Sequence, residues 1–345
     1  MKKITCLLLV LCLASPLFSG GRNDSVSAYN GVTGRISIYT SMYGEILDAM
    51  GRTLAVQFPG CQIEIFYGGT GTLQAKIESE ISAGKLGCDI LLVAEPAFSL
   101  ELKEKRMLHP YRSKEASSLA FDYDRDGYWY PVRISNMVLA YNPQMYSRES
   151  IPDSFYDFAY DQSVRGAVSM SNPLTSGTTL ASVTALRDKY GYEYFDALSR
   201  QNIVIESGSV AMSKLESGEH KVIMILEESI IRKRQEERSR LEVIYPSDGA
   251  IVIPSTIMIV NDQWNPNRNT AAAEAITDWF LSQQGQEAIV NGWMHSVRSN
   301  FSKLPFNAIP TREILANSIP VNWENVYRQR DEIRNRFEDS VTRRR

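Results

Sequence analysis

Between residues 35 and 94 the chain alternates short strand-forming runs with longer runs that carry apolar residues at helical spacing. That order restricts the fold more than any single motif does. Residues 35–40 alternate polar with apolar side chains, Ile36 and Ile38 on one face, as a half-buried strand does. Residues 45–58 put Ile46, Met50, Leu54 and Phe58 on one helical face, and Pro59-Gly60 ends the run. Residues 62–67 read as a second strand, 68–72 as a loop and 73–83 as a helix closing at Gly84. Residues 89–94 are a third strand, apolar on both faces as in a buried parallel sheet. Strand-helix-strand-helix-strand is the layered α/β arrangement.

A second unit of the same kind follows. Residues 132–141 read as a strand crossing into it, broken at Asn142-Pro143. Strands are expected at 168–170, 204–205 and 222–225, with helices at 178–189 and 209–216. The runs 251–253 and 257–260 look like the path back, and helices follow at 271–281 and 285–290. A chain of this length exceeds what one core supports. The expected architecture is therefore α/β and two-lobed, with two crossover strands. Residues 33–135 plus 251–310 make the first lobe and 136–250 the second. Residues 311–345 form a C-terminal helical tail, whose mixed Arg, Asp and Glu content reads as a solvated surface.

The first residues give an address. Met1-Lys2-Lys3 is basic, residues 4–13 are almost wholly apolar, and Ala14 to Gly21 is rich in small residues. This is the pattern of a secretory signal, expected to span residues 1–21. Its apolar run is about half the roughly 20 residues a spanning helix needs. Export is the reading, with an N-terminal tether left open. Cys61 and Cys88 remain after signal removal; export permits a bridge between them, and spacing alone does not decide it. The formal net charge of −3 points to no nucleic-acid partner.

Three strand ends carry hydroxyls. Gly68-Gly69-Thr70-Gly71-Thr72 follows a strand and opens a helix, and so does the loop Ser171-Asn172-Pro173-Leu174-Thr175-Ser176-Gly177-Thr178-Thr179; Thr40-Ser41 ends the first strand. The first N–H groups of a helix lack partners and sit at its positive end, so glycine and hydroxyl residues there suit an anion. A tight turn with a capping Ser or Thr explains each loop equally well. Glu227-Glu228 closes one strand and Asp248-Gly249 another; carboxylates there suit sugar hydroxyls or an ammonium group, or a solvated face. No GxSxG, HExxH or Cys-His pair suggests an enzyme. His109, His220 and His295 read as surface or capping residues. Tyr128-Trp129-Tyr130-Pro131 reads as packing under the crossing strand or as a stacking surface for ligand.

Taken in order, several of these segments resemble the extracellular solute-binding proteins related to ferric-iron binders, a group that includes phosphonate and hexose-phosphate binders. The carrying stretches are Ser37-Ile38-Tyr39-Thr40-Ser41, Phe58-Pro59-Gly60, Gly68-Gly69-Thr70-Gly71, Cys88-Asp89-Ile90-Leu91-Leu92 and Val138-Leu139-Ala140-Tyr141-Asn142. They continue with Ser171-Asn172-Pro173, Ser176-Gly177-Thr178, Tyr245-Pro246-Ser247-Asp248-Gly249-Ala250 and Ser282-Gln283-Gln284-Gly285-Gln286-Glu287. The resemblance implies a periplasmic-binding-protein fold of type II-like topology that closes on its ligand outside the inner membrane. It implies a monomer that hands its cargo to an ABC permease and uses no cofactor or resident metal. Ser176, Gly177 and Thr178 then hold an anion, faced by Thr40, Ser41, Gly69, Thr70, Gly71 and Thr72. Ferric binders of the group carry adjacent tyrosines where this chain has Glu227-Glu228-Ser229. Glu227 or Glu228 with Asp248 resembles the acidic pair that hexose-phosphate binders use for sugar hydroxyls. The expectation is a small organic phosphate, a sugar phosphate first and a phosphonate next. Ferric ion, or hydrolysis of phosphate esters, is the alternative.

Overall fold

The alternation near the N-terminus folds as expected. The computed structural model describes Tyr29 and residues 31–342; the signal region at 1–21 and Arg343 to Arg345 lie outside the described residues. The first unit runs β1 (Gly34–Thr40), α1 (Gly44–Gln57), β2 (Cys61–Tyr67), α2 (Thr70–Ser82), β3 (Ile90–Ala94) and α3 (Pro96–Glu104). The long strand β4 (Tyr130–Tyr141) crosses to the second unit. That unit contains α4 (Phe155–Tyr160), β5 (Val168–Met170), α5 (Gly177–Tyr190), α6 (Glu193–Arg200), β6 (Val204–Ile205) and α7 (Gly208–Ser217). It continues with β7 (Val222–Leu226), α8 (Glu227–Glu236) and β8 (Glu242–Ile244). The second crossing strand, β9 (Ala250–Ile259), leads to α9 (Thr270–Leu281) and α10 (Gln283–Asn291). The chain then forms α11 (Thr311–Ala316), β10 (Ser318–Ile319), α12 (Trp323–Arg328) and α13 (Arg330–Phe337).

The strands run in the order β2-β1-β3-β9-β4-β7-β5-β6, with β10 on β9 and β8 on β4. Pairing is parallel within each unit (Ile38 opposite Ile90, Val168 opposite Val222) and antiparallel where β9 meets β3 and β4. Two antiparallel crossing strands at the centre, each flanked by a parallel α/β unit, make the two-lobed architecture. The sheet of the first lobe is covered on both faces. Ile36, Ile38, Ile90 and Leu92 pack with α1 and α9, while Tyr39, Leu91 and Val93 pack with α2 and α3. In β7 of the second lobe, Val222, Met224 and Leu226 face one core and Ile223 and Ile225 face α7 and α8.

The two expected runs at 251–253 and 257–260 are one strand, because Pro254 interrupts the sequence pattern without interrupting the strand. The Pro254 carbonyl accepts the Glu95 N–H at 3.2 Å on the β3 side, where β3 has already ended, so the missing proline N–H costs no ladder bond. Cys61 and Cys88 are free thiols. Cys61 begins β2 and Cys88 leads into β3, with β1 between those strands, which places them roughly 10 Å or more apart, beyond disulfide reach. The tail is not a solvated surface. β10 pairs with the start of β9, and Val326, Ile333, Phe337 and Val341 are buried in the second lobe's core. From there Arg330 pairs with Glu101 at 2.7 Å, Arg328 with Glu104 at 2.8 Å, and Arg334 donates to Gln74 at 3.2 Å, so the segment also grips α2 and α3 of the first lobe.

Candidate ligand-binding site

A cleft of about 600 Å³ lies between the lobes, over the crossing strands. The helices α2, α5, α7 and α8 all present their first residues to it, through Gly69 and Thr70, Ser176 to Thr179, Ser207 to Ser209, and Glu228 and Ser229. Each of these helices starts at a strand end, so the doubly wound topology aims their positive ends at one volume. Two of the four starts are capped by serine. Ser176 Oγ accepts the Thr179 N–H at 3.2 Å and lies 3.1 Å from Thr178 Oγ1. Ser207 Oγ accepts the Val210 N–H at 3.4 Å. Neither α2 nor α8 has a side-chain cap, which leaves their leading N–H groups without that partner.

Seven of the expected residues line this cleft: Ser41, Gly69, Thr70, Ser176, Gly177, Thr178 and Glu228. The others are placed elsewhere. Thr40 is buried behind the wall, where its Oγ1 accepts the Met42 N–H at 3.1 Å. Gly71 and Thr72 are already in the first turn of α2. The Gly71 N–H crosses the cleft to the Thr175 carbonyl at 3.2 Å, and Thr72 is exposed. Asp248 accepts the Phe155 and Tyr156 N–H groups at 3.0 Å each and the Tyr190 hydroxyl at 2.7 Å. It holds the start of α4 and does not line the cleft.

The adjacent glutamates divide their work. They begin α8 instead of ending β7, so they project about 100° apart. Glu227 points into a buried network, accepting from Asn136 Nδ2 at 2.6 Å, from the Tyr245 hydroxyl, and pairing with His295 Nε2 at 2.9 Å. Glu228 faces the cleft with its Oε1 on Ser135 Oγ at 2.8 Å, and burial raises its pKa against the opposing pull of Arg133. Two histidines read as surface residues are buried instead: His295 in that network, and His220 against Glu206 at 2.6 Å. His109 is half-buried, 3.1 Å from Glu274. Tyr128, Trp129 and Tyr130 pack in the first lobe's cores, as the packing reading expected.

Several lining residues escaped the sequence reading. Ser207-Gly208 repeats the Ser176-Gly177 design, a serine cap and glycine opening a helix after a strand, and that likeness was available. Arg133 is the one charged residue of its crossing strand, and its burial was the missing signal. Burial lowers its pKa, opposed by Glu228 and Tyr43. Tyr43 and Tyr67 also reach the cleft, and burial pushes the Tyr43 phenol up. Glu206 is neutralised in place. Burial alone would raise its carboxyl, but His220, Lys214 and Ser169 bring it below its ordinary value.

A family model described as bacterial extracellular solute-binding protein matches residues 88–317. The chain belongs to this family, and it is a solute-binding protein and not an enzyme. Solved structures show the same fold. The periplasmic binding protein AfuA of Actinobacillus pleuropneumoniae, with exogenous fructose-6-phosphate bound, is 19% identical, with a TM-score of 0.77 over 90% of this chain and 99% of that one. Iron-bound HitA of Pseudomonas aeruginosa is 20% identical, with a TM-score of 0.76 over 89% and 99%. A substrate-binding protein of an ABC transporter from Agrobacterium tumefaciens is 14% identical, with a TM-score of 0.78 over 90% and 94%. Among the described residues no helix is long and apolar enough to cross a membrane.

Proposed function

We propose that the protein is the substrate-binding component of an ABC importer and that its cleft captures a small organic phosphate, a sugar phosphate foremost. The observation that carries this reading is the convergence of four helix starts, rich in hydroxyls and backbone N–H donors, on one enclosed volume. An anion there meets oriented dipoles and two lining carboxylates: Glu206, which is held by its own partners, and Glu228, whose carboxyl pKa is raised by burial. Glu228, with Ser171, Asn172 and Ser229 on the same wall, supplies acceptors and donors for sugar hydroxyls. The volume accommodates a hexose phosphate. AfuA, which shares the fold, is a structure with fructose-6-phosphate. The protein works as a periplasmic monomer whose lobes, meeting near residues 135–136 and 250–251, close on the ligand and present it to a permease in the inner membrane.

Ferric ion is the competing cargo. HitA shares the fold with iron bound, and Tyr43 and Tyr67 reach the cleft. The raised Tyr43 phenol disfavours the phenolate that iron(III) needs. A thermal-shift screen of chelator-treated protein decides between them. Glucose 6-phosphate or fructose 6-phosphate is expected to raise Tm, by about 2.7 kcal/mol of stabilisation at a hundredfold excess over Kd. Ser176→Ala combined with Thr178→Ala is expected to abolish the shift. A shift with Fe(III) alone, unchanged in that variant, overturns the phosphate reading.

A further inference from the structure

Arg133 is the cation in the cleft that the protein leaves unsatisfied. It stands on β4, beside the register shift between Pro131 and Arg133 that separates two stretches of its pairing with β9. Only 3% of it is exposed, yet it lines the cleft. Its one hydrogen-bond partner among the described residues is Met294 Sδ, 2.7 Å from Nη1, and a thioether is a weak acceptor. Its Nε is buried with no partner. Among the described residues it makes no ion pair, in contrast to the less buried Arg330 and Arg298, which each meet a glutamate at 2.7 Å.

A guanidinium offers five N–H donors in a flat fork that fits a carboxylate with two parallel bonds. Holding one buried without a matching acceptor is unfavourable, and a bound acceptor offsets that cost. Glu228 offsets part of the Arg133 charge through space, but no ion pair or hydrogen bond joins the two among the described residues, and its Oε1 is on Ser135, so the fork of donors is not matched. The helix starts of α5 and α7, with their serine caps, already provide for a phosphate on the second lobe's wall. Arg133 comes from the crossing strand instead and therefore addresses a different part of the ligand.

We propose that Arg133 binds a carboxylate at the far end of the ligand, so that the cargo is a phosphorylated polyhydroxy acid. The phosphate sits at the helix starts, the carboxylate on Arg133, and the hydroxyls between them on Glu228 and its neighbours. This rests on the organic-phosphate reading and narrows it.

The test compares two probes of equal carbon number that differ at one end, 6-phosphogluconate and glucose 6-phosphate, by calorimetric titration of the intact protein. The wild type is expected to bind 6-phosphogluconate at least about tenfold more tightly, as a bidentate charged pair supplies. Arg133→Gln is expected to bring 6-phosphogluconate down to the affinity of glucose 6-phosphate, and Arg133→Lys, which keeps the charge without the fork, to fall between. Equal affinity of the wild type for both probes overturns the Arg133 assignment and leaves the phosphate reading standing. The wild-type comparison needs no variant to fold. Binding of neither probe, with Fe(III) or a non-phosphorylated solute bound instead, overturns the phosphate reading and this inference with it.

Discussion

The loop that opens α2 and the loop that opens α5 read alike in sequence, each following a strand, mixing glycine with hydroxyl residues and starting a helix. Across the cleft they do different things. The α5 loop is a capped helix start, with Ser176 Oγ joined to Thr178 and Thr179. The α2 loop is a contact surface. A Cβ at Gly71 would come 2.9 Å from the Leu174 carbonyl oxygen and 3.0 Å from Thr175 Cα, both on the opposite lobe. A Cβ at Gly177 would lie 2.8 Å from Thr70 Cβ and Oγ1. Glycine serves the approach from both sides, Gly71 on the first lobe and Gly177 on the second, and of the α2 loop only Gly69 and Thr70 also line the cleft. One motif supports two roles, and the neighbour across the gap selects between them.

Substitutions that separate the roles follow from that contrast. Gly71→Val has the largest expected effect on binding, because its side chain meets backbone and not a flexible side-chain tip. Affinity should fall about a hundredfold, roughly 2.7 kcal/mol, because the valine keeps the lobes from their contact at Leu174 and Thr175. Calorimetry and small-angle scattering with and without ligand check this; unchanged closure would show that the α2 loop is not a contact surface.

The adjacent glutamates sharpen the same lesson. Glu227→Gln disturbs a buried network that joins β4, α8 and His295, and should lower stability by about 2–3 kcal/mol in a urea titration. Glu228→Gln keeps an acceptor for Ser135 and should change stability at neutral pH by less than about 1 kcal/mol, while altering which ligands bind. Its pH response differs as well. A carboxyl whose folded pKa is raised holds its proton longer when folded, so the wild type loses this contribution as pH rises through the window above the ordinary glutamate value. Glu228→Gln should lose that share of the pH response and keep the share of Glu95, whose carboxyl burial pushes up to about 8.

The smallest effects compare the hydroxyls. Ser176→Ala removes a helix cap and should lower stability by about 1 kcal/mol, along with anion binding. Thr72→Ala, on an exposed turn, should change neither by more than about 0.5 kcal/mol. A Thr72→Ala variant that binds as poorly as Ser176→Ala would restore the symmetric reading of the two loops.

The strand-helix order and the crossing strands were legible because hydrophobic periodicity follows burial directly, as in residues 89–94 and 132–141. The hydroxyl-bearing helix starts were legible for a related reason, since a serine or threonine ahead of a helix announces a cap. Arg133 and Asp248 were not. A charged residue has no periodicity of its own, and whether it is paired depends on residues distant in the chain: Met294 for Arg133, Phe155 and Tyr190 for Asp248. The tail was misread for the same reason. Ile333 and Phe337 sit among charges in sequence, and only the second lobe's core explains their burial.

What the sequence determined by itself was therefore local: where strands and helices form, which loops open helices, and that the run broken at Asn142-Pro143 leaves one unit for another. Each follows from backbone preferences and side-chain spacing within a few residues. The tertiary structure decided which of two neighbouring glutamates meets the cleft, which glycines are needed for the lobes to approach, and which arginine of the cleft is left with a thioether in place of a carboxylate. Those depend on atoms brought within a few ångströms from opposite ends of the chain, and no local pattern encodes that distance.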